Sequence, residues 1–551
     1  MGVLDPILPP YDPLEWEKKP FSERARMVCR SWAMQGYGSP AAIYVAYLLK
    51  IIVVYVGGWL LWCRFTPGLG ELRSIGQWWL EPVAFQKAIA WSMLYEVLGL
   101  GCGSGPLTGR YVPPIGGFLH FLRPGTTKLP LWPKLPLLGG HRRTILDVLL
   151  YAGLLGALGW TLTSATPDVT QFAVIVGVLA TLGVLDKTIF LAARAEHYWT
   201  TMLCFVLASP WIAGAKAVQL ALWFWAGFSK LNHHFPAVVA VMTSNSPITR
   251  FEGVRRLMYR DYPNDLRPSR LATIMGHFGT ALEFGVPLVL AFAPPDPSGG
   301  PWLIAGMILM LMLHGYISSN VPMGVPLEWN VAVVYGAFAL FWAHPEVSVL
   351  ELAATPLLAA ILTVMLIGLP LLGNLVPSAV SFLLAMRYYA GNWACSIWLF
   401  RGDSHRKLER LKKSAAWVDD QLGLFYERPT IVALISKVMA FRLMHLHGRA
   451  LPILLPKAVE RVDDYQWTDG ELIAGLALGW NFGDGHLHDE RLLAAIQEQC
   501  AFEPGELRCV FVESQPFGQS RMRWRIADAA SGPIEAGELT IAELRARQPW
   551  G

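Results

Sequence analysis

The sequence predicts an all-α polytopic membrane bundle of about ten transmembrane helices, followed by a small C-terminal α+β soluble domain. Three observations carry this. Of 551 residues, 54% are hydrophobic and only 16% are charged, where an ordinary soluble domain carries about 25% charged residues. The apolar residues fall in blocks of roughly 20, the length of helix that crosses a bilayer core. The chain also holds 23 Trp, a residue that favours the membrane–water boundary. The net charge of +4 is too small to imply a nucleic-acid partner. The seven cysteines form no CxxC pair and are odd in number, so neither a disulfide framework nor a zinc site is predicted.

Residues 1–40 mix acids, bases and prolines without an apolar h-region. They read as an N-terminal cytoplasmic segment and not as a signal peptide. The transmembrane domain covers 41–373. Its first span is 41–62, in which Lys50 can snorkel, and its second is about 82–102, holding Lys87 and Glu96. A loop of about 40 residues follows, rich in Pro and Gly, with six Lys/Arg and no acid. Further spans are predicted at 144–163, 170–193, 198–212 and 214–230, then a second basic loop at 231–270, then spans at 271–293, 301–320, 327–343 and 349–373. Loops 103–143, 231–270 and 400–428 carry clustered Lys/Arg, and loops 164–169, 294–300 and 344–348 carry none. The positive-inside rule then predicts a multi-pass protein of the cell membrane with both the N-terminus and the C-terminal domain in the cytoplasm.

Residues 374–456 read as an interfacial layer. If 378–399 crossed, the basic run Arg401 to Lys413 would lie outside, so this stretch is expected to be interfacial or re-entrant. The stretch 431–455 is apolar but holds Lys437, Arg442, His445, His447 and Arg449, the pattern of an amphipathic helix lying on the membrane. In the soluble domain, 457–551, DGELIAGLALGW predicts a helix. RCVFVES and MRWRIAD predict strands. EAGELTIAELRARQ predicts a strand or turn followed by a helix.

Candidate chemistry lies where ionisable residues interrupt the apolar blocks. A charge at the bilayer centre costs about 2.5–3.5 kcal/mol on insertion scales, so such residues pair with one another or mark a site. In FLAARAEHYWTTML, spacings of 7 and 3 put Lys187, Arg194 and His197 on one broad helix face, with Asp186 and Glu196 as countercharges. That set suits an imidazole base, or equally a basic helix C-terminus. In WFWAGFSKLNHHFP, Lys230 ends an aromatic run and Asn232 follows. A desolvated lysine can act as base or nucleophile; an ordinary one would snorkel. Glu283 lies inside a span and needs a partner from another, with Lys230 or His314 as candidates. His314, Asn320, Glu328 and Asn330 gather around a Pro/Gly break in LMLHGYISSNVPMGVPLEWN. Such a break is tolerated where it lines a cavity and is also what a short loop looks like. The candidate catalytic residues are Lys230, His197 and Glu283. Arg194, Glu196, Asn232, His314, Asn320 and Glu328 are their expected surroundings.

Two loops carry further signals. GLGCGSGPLTGRY at 99–111 lacks the GK[ST] of a nucleotide loop; it reads by default as a structured turn-rich loop, with a lipid headgroup phosphate held by Arg110, Arg123 and Lys128 as the functional alternative. In GWNFGDGHLHDE at 479–490, Asp484, His486 and His488 offer an HxH but no fourth ligand. We assign no metal, and expect a turn capped by Asp484 with Asp489 opening the next helix.

The aromatic run ending AG-x-x-KL, the E-x-x-VPL span and the polar turn at Ser319–Asn320 together resemble the horizontally transferred transmembrane domain. That group includes the vitamin K-dependent γ-carboxylases and, more distantly, the lipase maturation factors. The resemblance covers roughly residues 145–345. It implies Lys230 as base and His197 as its assistant for a carboxylase-like centre. In the maturation factors the same pieces recur without that activity. The whole chain resembles more closely an uncharacterised family of bacterial transmembrane proteins, through GLGCGSGPLTGRY, LRPGTTKLP and GWNFGDGHLH.

The expected function is therefore a membrane enzyme acting on a lipid- or quinone-like molecule that enters from the bilayer, with membrane lipids as partners. The alternative is a non-catalytic maturation, lipid-transport or assembly factor, which would bring a protein partner. A catalytic lysine should open onto a pocket. A structural one should be paired to Glu283 or Glu328 with no open volume.

Overall fold

A computed structural model describes residues 2–101, 116–134, 139–294, 299–320 and 326–551. Among the described residues, five helices are long and apolar enough to cross a membrane: Ala41–Cys63, Ile145–Thr163, Arg270–Phe292, Gly300–Ser318 and Pro356–Leu375. The other five predicted segments are also helical, at Pro82–Val97, Val169–Leu185, Tyr198–Leu207, Ile212–Ser229 and Leu327–Trp342. They are shorter or less apolar. The 10 residues of Tyr198–Leu207 rise only about 15 Å, half a hydrocarbon core.

Local sequence sets where these helices begin. Thr144 and Asp147 form a capping box at Ile145–Thr163, and Asp168 and Gln171 form another at Val169–Leu185, each satisfying backbone N–H groups that no helical carbonyl reaches. Lys87 is fully buried, yet its ammonium donates to the Trp62 and Leu162 carbonyls at 2.8 and 3.1 Å. A lysine within a buried helix is thus held by the open carbonyl ends of two neighbours.

The predicted single face of Lys187, Arg194 and His197 does not form. Val169–Leu185 ends at Asp186, whose carboxylate caps a new short helix, Lys187–Ala192. The chain then turns through Arg194, at φ 52°, before Tyr198–Leu207 begins. Left-handed backbone is costly for a residue with a Cβ and cannot continue a helix. It points Arg194 inward, where its Nε donates to Glu196 Oε1 at 2.9 Å.

Among the described residues there are seven strands. Tyr259–Asp261 (β1) and Asp265–Pro268 (β2) form a hairpin. Cys395–Arg401 (β3), Tyr465–Asp469 (β4), Leu507–Val512 (β5), Arg521–Asp528 (β6) and Gly532–Thr540 (β7) form an antiparallel sheet in the order β4-β3-β5-β6-β7. β3 corrects the expectation for 378–399. The last five residues of that apolar run open the strand between β4 and β5, Cys395–Arg401, with every residue but Arg401 buried. The C-terminal sheet thus takes its first strand from well before 457.

The expectation for 431–455 is corrected as well. Arg428–Met444 does not lie on a surface: from Ile431 onward it is buried on nearly all sides. Its charges are satisfied from within. Lys437 donates to Ser31 Oγ at 2.6 Å, and Arg442 forks onto Asp469 at 2.8 and 3.1 Å and reaches Glu471 at 2.9 Å. The N-terminal segment supplies one wall. Phe21–Gln35 packs along this helix, Trp32 sits 5.9 Å from Phe441, and Arg24 pairs with Asp463 at 3.0 Å. The helix Phe21–Gln35 and the C-terminal unit therefore share a core. Cys29, Cys63, Cys204, Cys395, Cys500 and Cys509 are free and buried.

Candidate functional site

Gly227 lets the helices Ile212–Ser229 and Arg270–Ala291 close on one another. A Cβ there would stand 3.1 Å from Glu283 Cβ, and small residues permit such approach between membrane helices. One turn on, Lys230 meets Glu283. The ammonium donates to both carboxylate oxygens at 2.7 Å and to the Ala226 carbonyl at 3.3 Å. The side chains are 4% and 7% exposed, so the pair is closed to water.

Lys230 and Glu283 line a cavity of about 100 Å³ together with Arg194, His314 and Asn320. His314 is fixed in one tautomer. Its Nε2 accepts from the Trp223 indole N–H at 2.9 Å, so Nδ1 carries the proton and donates to Asn330 Oδ1 at 2.7 Å. Asn320 donates to the Tyr316 carbonyl at 2.8 Å. Arg194 stands against three rings, 5.0 Å from Phe482, 5.3 Å from Trp329 and 5.7 Å from Tyr388, the arrangement that stabilises a buried cation by its quadrupole neighbours. Its Nη2 has no hydrogen-bond partner among the described residues.

The other predicted residues fall elsewhere. His197 does not line this cavity. Its ring lies 4.6 Å from Tyr198 and edge-on to Trp329 at 6.0 Å, and its Nδ1 is unpartnered among the described residues. Lys230 and His197 therefore do not share this cavity. Glu196 accepts from Arg194 and from the Tyr388 hydroxyl at 2.9 Å. Glu328 belongs to a second buried group with Glu96. Tyr47 donates to it at 3.3 Å, and a side chain on Gly101 would collide with Glu96 and stand 3.2 Å from Glu328. Asn232 caps the helix Phe235–Asn245, accepting from the His234 N–H at 2.6 Å and the Phe235 N–H at 3.2 Å.

The residues expected to hold a headgroup phosphate are Arg110, Arg123 and Lys128. Arg110 lies outside the described residues. Arg123 donates to the Lys413 carbonyl at 2.7 Å. Lys128 is fully buried and holds Asp147 at 2.7 and 2.8 Å. Phe482, Tyr388 and Trp329 also line the cavity, aromatic residues whose place there no local sequence pattern signals.

The GWNFGDGHLHDE loop is built as its cap residues predict. Asp484 accepts from the His486 N–H at 3.1 Å, and Asp489 opens the helix Glu490–Cys500. The two histidines diverge. His488 Nδ1 meets Ser396 Oγ at 2.7 Å, while His486 sits between Asp484 at 3.3 Å and Glu513 at 3.0 Å. Among the described residues no group of three or more His, Cys, Asp or Glu is placed to hold a metal ion. Burial lowers the His486 pKa, but the two carboxylates outweigh it and raise it to about 9. His486 in turn holds Asp484 and Glu513 below the ordinary range against the opposing effect of their burial. A group whose folded pKa is raised stabilises fully below its unfolded value and loses that contribution as pH rises through the folded one. Stability is therefore expected to fall by on the order of 2–3 kcal/mol between about pH 6.5 and 9. A thermal-midpoint scan against pH checks this, and His486→Gln should flatten the scan over that window.

No curated protein and no solved structure matches the chain, and the carboxylase resemblance rests on its short motifs alone. The model of one protein family, described as "Transmembrane protein of unknown function (DUF3556)", matches residues 1–551, and the chain belongs to that family.

Proposed function

We propose that the protein holds a hydrophobic molecule of the lipid or quinone class inside the bundle and handles it without covalent chemistry at Lys230. The observation that carries this is the saturation of Lys230: all three ammonium hydrogens have acceptors, two of them on Glu283. A lysine base needs a free lone pair facing its substrate, and this one offers none. His314 and Asn320 are likewise committed to protein partners. What remains open to a guest is the apolar wall of Leu222, Phe235, Val238, Val239, Leu313 and Ile317, together with Arg194 Nη2, which has no hydrogen-bond partner among the described residues. Such a wall suits the first few carbons of an acyl or isoprenoid chain, as much as about 100 Å³ admits, through dispersion contacts. The arginine suits a carbonyl or acidic oxygen at its end. The Lys230–Glu283 pair serves as a pin between two helices.

Native mass spectrometry of gently extracted protein tests this with two variants. Arg194→Gln should lower retention of the co-purifying molecule by about tenfold or more, the loss of one charge-assisted hydrogen bond. Lys230→Met/Glu283→Leu replaces the pin with apolar groups of similar volume and should retain the same molecule at the same mass. A changed mass in that double variant would show chemistry at the pair, and retention unaffected by Arg194→Gln would remove the anchor.

A further inference from the structure

A second, larger cavity of about 690 Å³ lies where the bundle meets the C-terminal unit. Three features of it bear on a ligand. The first is charge. Arg260, Arg267, Arg449 and Arg545 line it, and no Asp or Glu does among the described residues. Arg267 is bound to Asp265. Arg260, Arg449 and Arg545 make no ion pair within 4.0 Å among the described residues, and each carries a full charge at any physiological pH. The second is an open donor. Arg449 is 1% exposed, one Nη donates to the Arg547 carbonyl at 3.1 Å, and its Nε has no partner among the described residues. A buried guanidinium N–H without an acceptor is uncommon and invites one from a ligand. The third is depth. The cavity touches the ends of three helices of the bundle, at Ser229, at Thr273 and His277, and at Asn374. Its rim carries Leu231 and Phe517, exposed by 47% and 42%. Helix ends mark the headgroup level of a bilayer, so cationic walls with an apolar rim sit where a lipid's phosphate meets its chains.

We infer that this cavity binds the phosphate end of an anionic lipid, with Arg449 as the buried donor and Arg260 and Arg545 at its mouth. Guanidinium groups match phosphate oxygens in charge and in forked geometry, and three without a carboxylate partner suit a group bearing more than one negative charge. The basic loop 231–270 supplies Arg260 and Arg267, so its cluster of arginines acquires a ligand-facing role besides any role in topology. This site is independent of the Lys230 cavity, and the variants below leave Arg194, Lys230 and Glu283 intact.

The test uses the full chain in detergent micelles doped with phosphatidic acid or phosphatidylcholine, read by native mass spectrometry, with inorganic pyrophosphate as competitor. The wild type should retain phosphatidic acid over phosphatidylcholine by about tenfold or more. Arg260→Gln/Arg545→Gln, both exposed positions, should erase most of that preference at an unchanged thermal midpoint. Arg449→Gln should do the same and tests the buried donor. Displacement of phosphatidic acid by pyrophosphate places the binding in the phosphate group. Pyrophosphate binding without a lipid preference, if lost in the variants, keeps the phosphate site and makes its source soluble. The inference fails if the wild type shows neither lipid preference nor pyrophosphate binding. It also fails if both survive the double variant and Arg449→Gln.

Discussion

Lys230→Ala is expected to destabilise the protein by about 3–5 kcal/mol, because it strands the Glu283 carboxylate in a site closed to water. Glu283→Gln should cost less, since the amide oxygen still accepts from the ammonium. Lys230→Met/Glu283→Leu should recover most of the loss, as apolar replacements of whole buried pairs often do. This order separates a pin from a catalytic group, for which loss of stability is no requirement. Thermal unfolding of the three variants beside the wild type reads it directly. Equal damage from Lys230→Ala and the double variant would mean that the pair does more than join two helices.

The second large effect is expected at Arg442. Its guanidinium is 1% exposed and satisfies both oxygens of Asp469 and one of Glu471. Asp469 ends β4 and caps the helix Gly470–Leu478, so one side chain ties the buried helix Arg428–Met444 to a sheet edge and a helix start. Arg442→Ala leaves two buried carboxylates facing each other and should cost about 3–5 kcal/mol. Arg442→Lys keeps the charge but loses the fork, and an intermediate loss is expected. The thermal midpoint and the onset of proteolysis within 395–551 measure both. A wild-type midpoint in Arg442→Ala would refute the anchoring role.

The helices of the bundle are legible in the sequence because apolar blocks of helical length are strong, local signals. The partner of Glu283 is legible for a different reason. A carboxylate inside a span must be met by a cation from another span, and few are available. β3 is hidden because a strand buried on both faces loses its alternation and reads as a continuous apolar run. The helix Arg428–Met444 is misread because its charges look like a polar face. Their partners, Ser31, Asp469 and Glu471, lie far away in sequence, and no pattern along the helix reveals them. The break at Arg194 gives no warning, since a left-handed arginine carries none of the glycine signal that usually marks such a turn. Phe482 is unforeseen at the cavity because a loop's reach into a bundle is a tertiary fact. The central residues thus divide: Lys230, Glu283, Arg194, His314 and Asn320 share a cavity, while His197, Glu196, Glu328 and Asn232 serve neighbouring networks.

A cryo-electron-microscopy map of the full chain in discs of its own membrane tests the central claim most directly. Chain-like density between Val238, Ile317 and Phe482, ending within hydrogen-bond distance of Arg194 Nη2 and leaving the Lys230–Glu283 pair intact, is the predicted result. An empty cavity, or density bonded to Lys230 with Glu283 displaced, would contradict it.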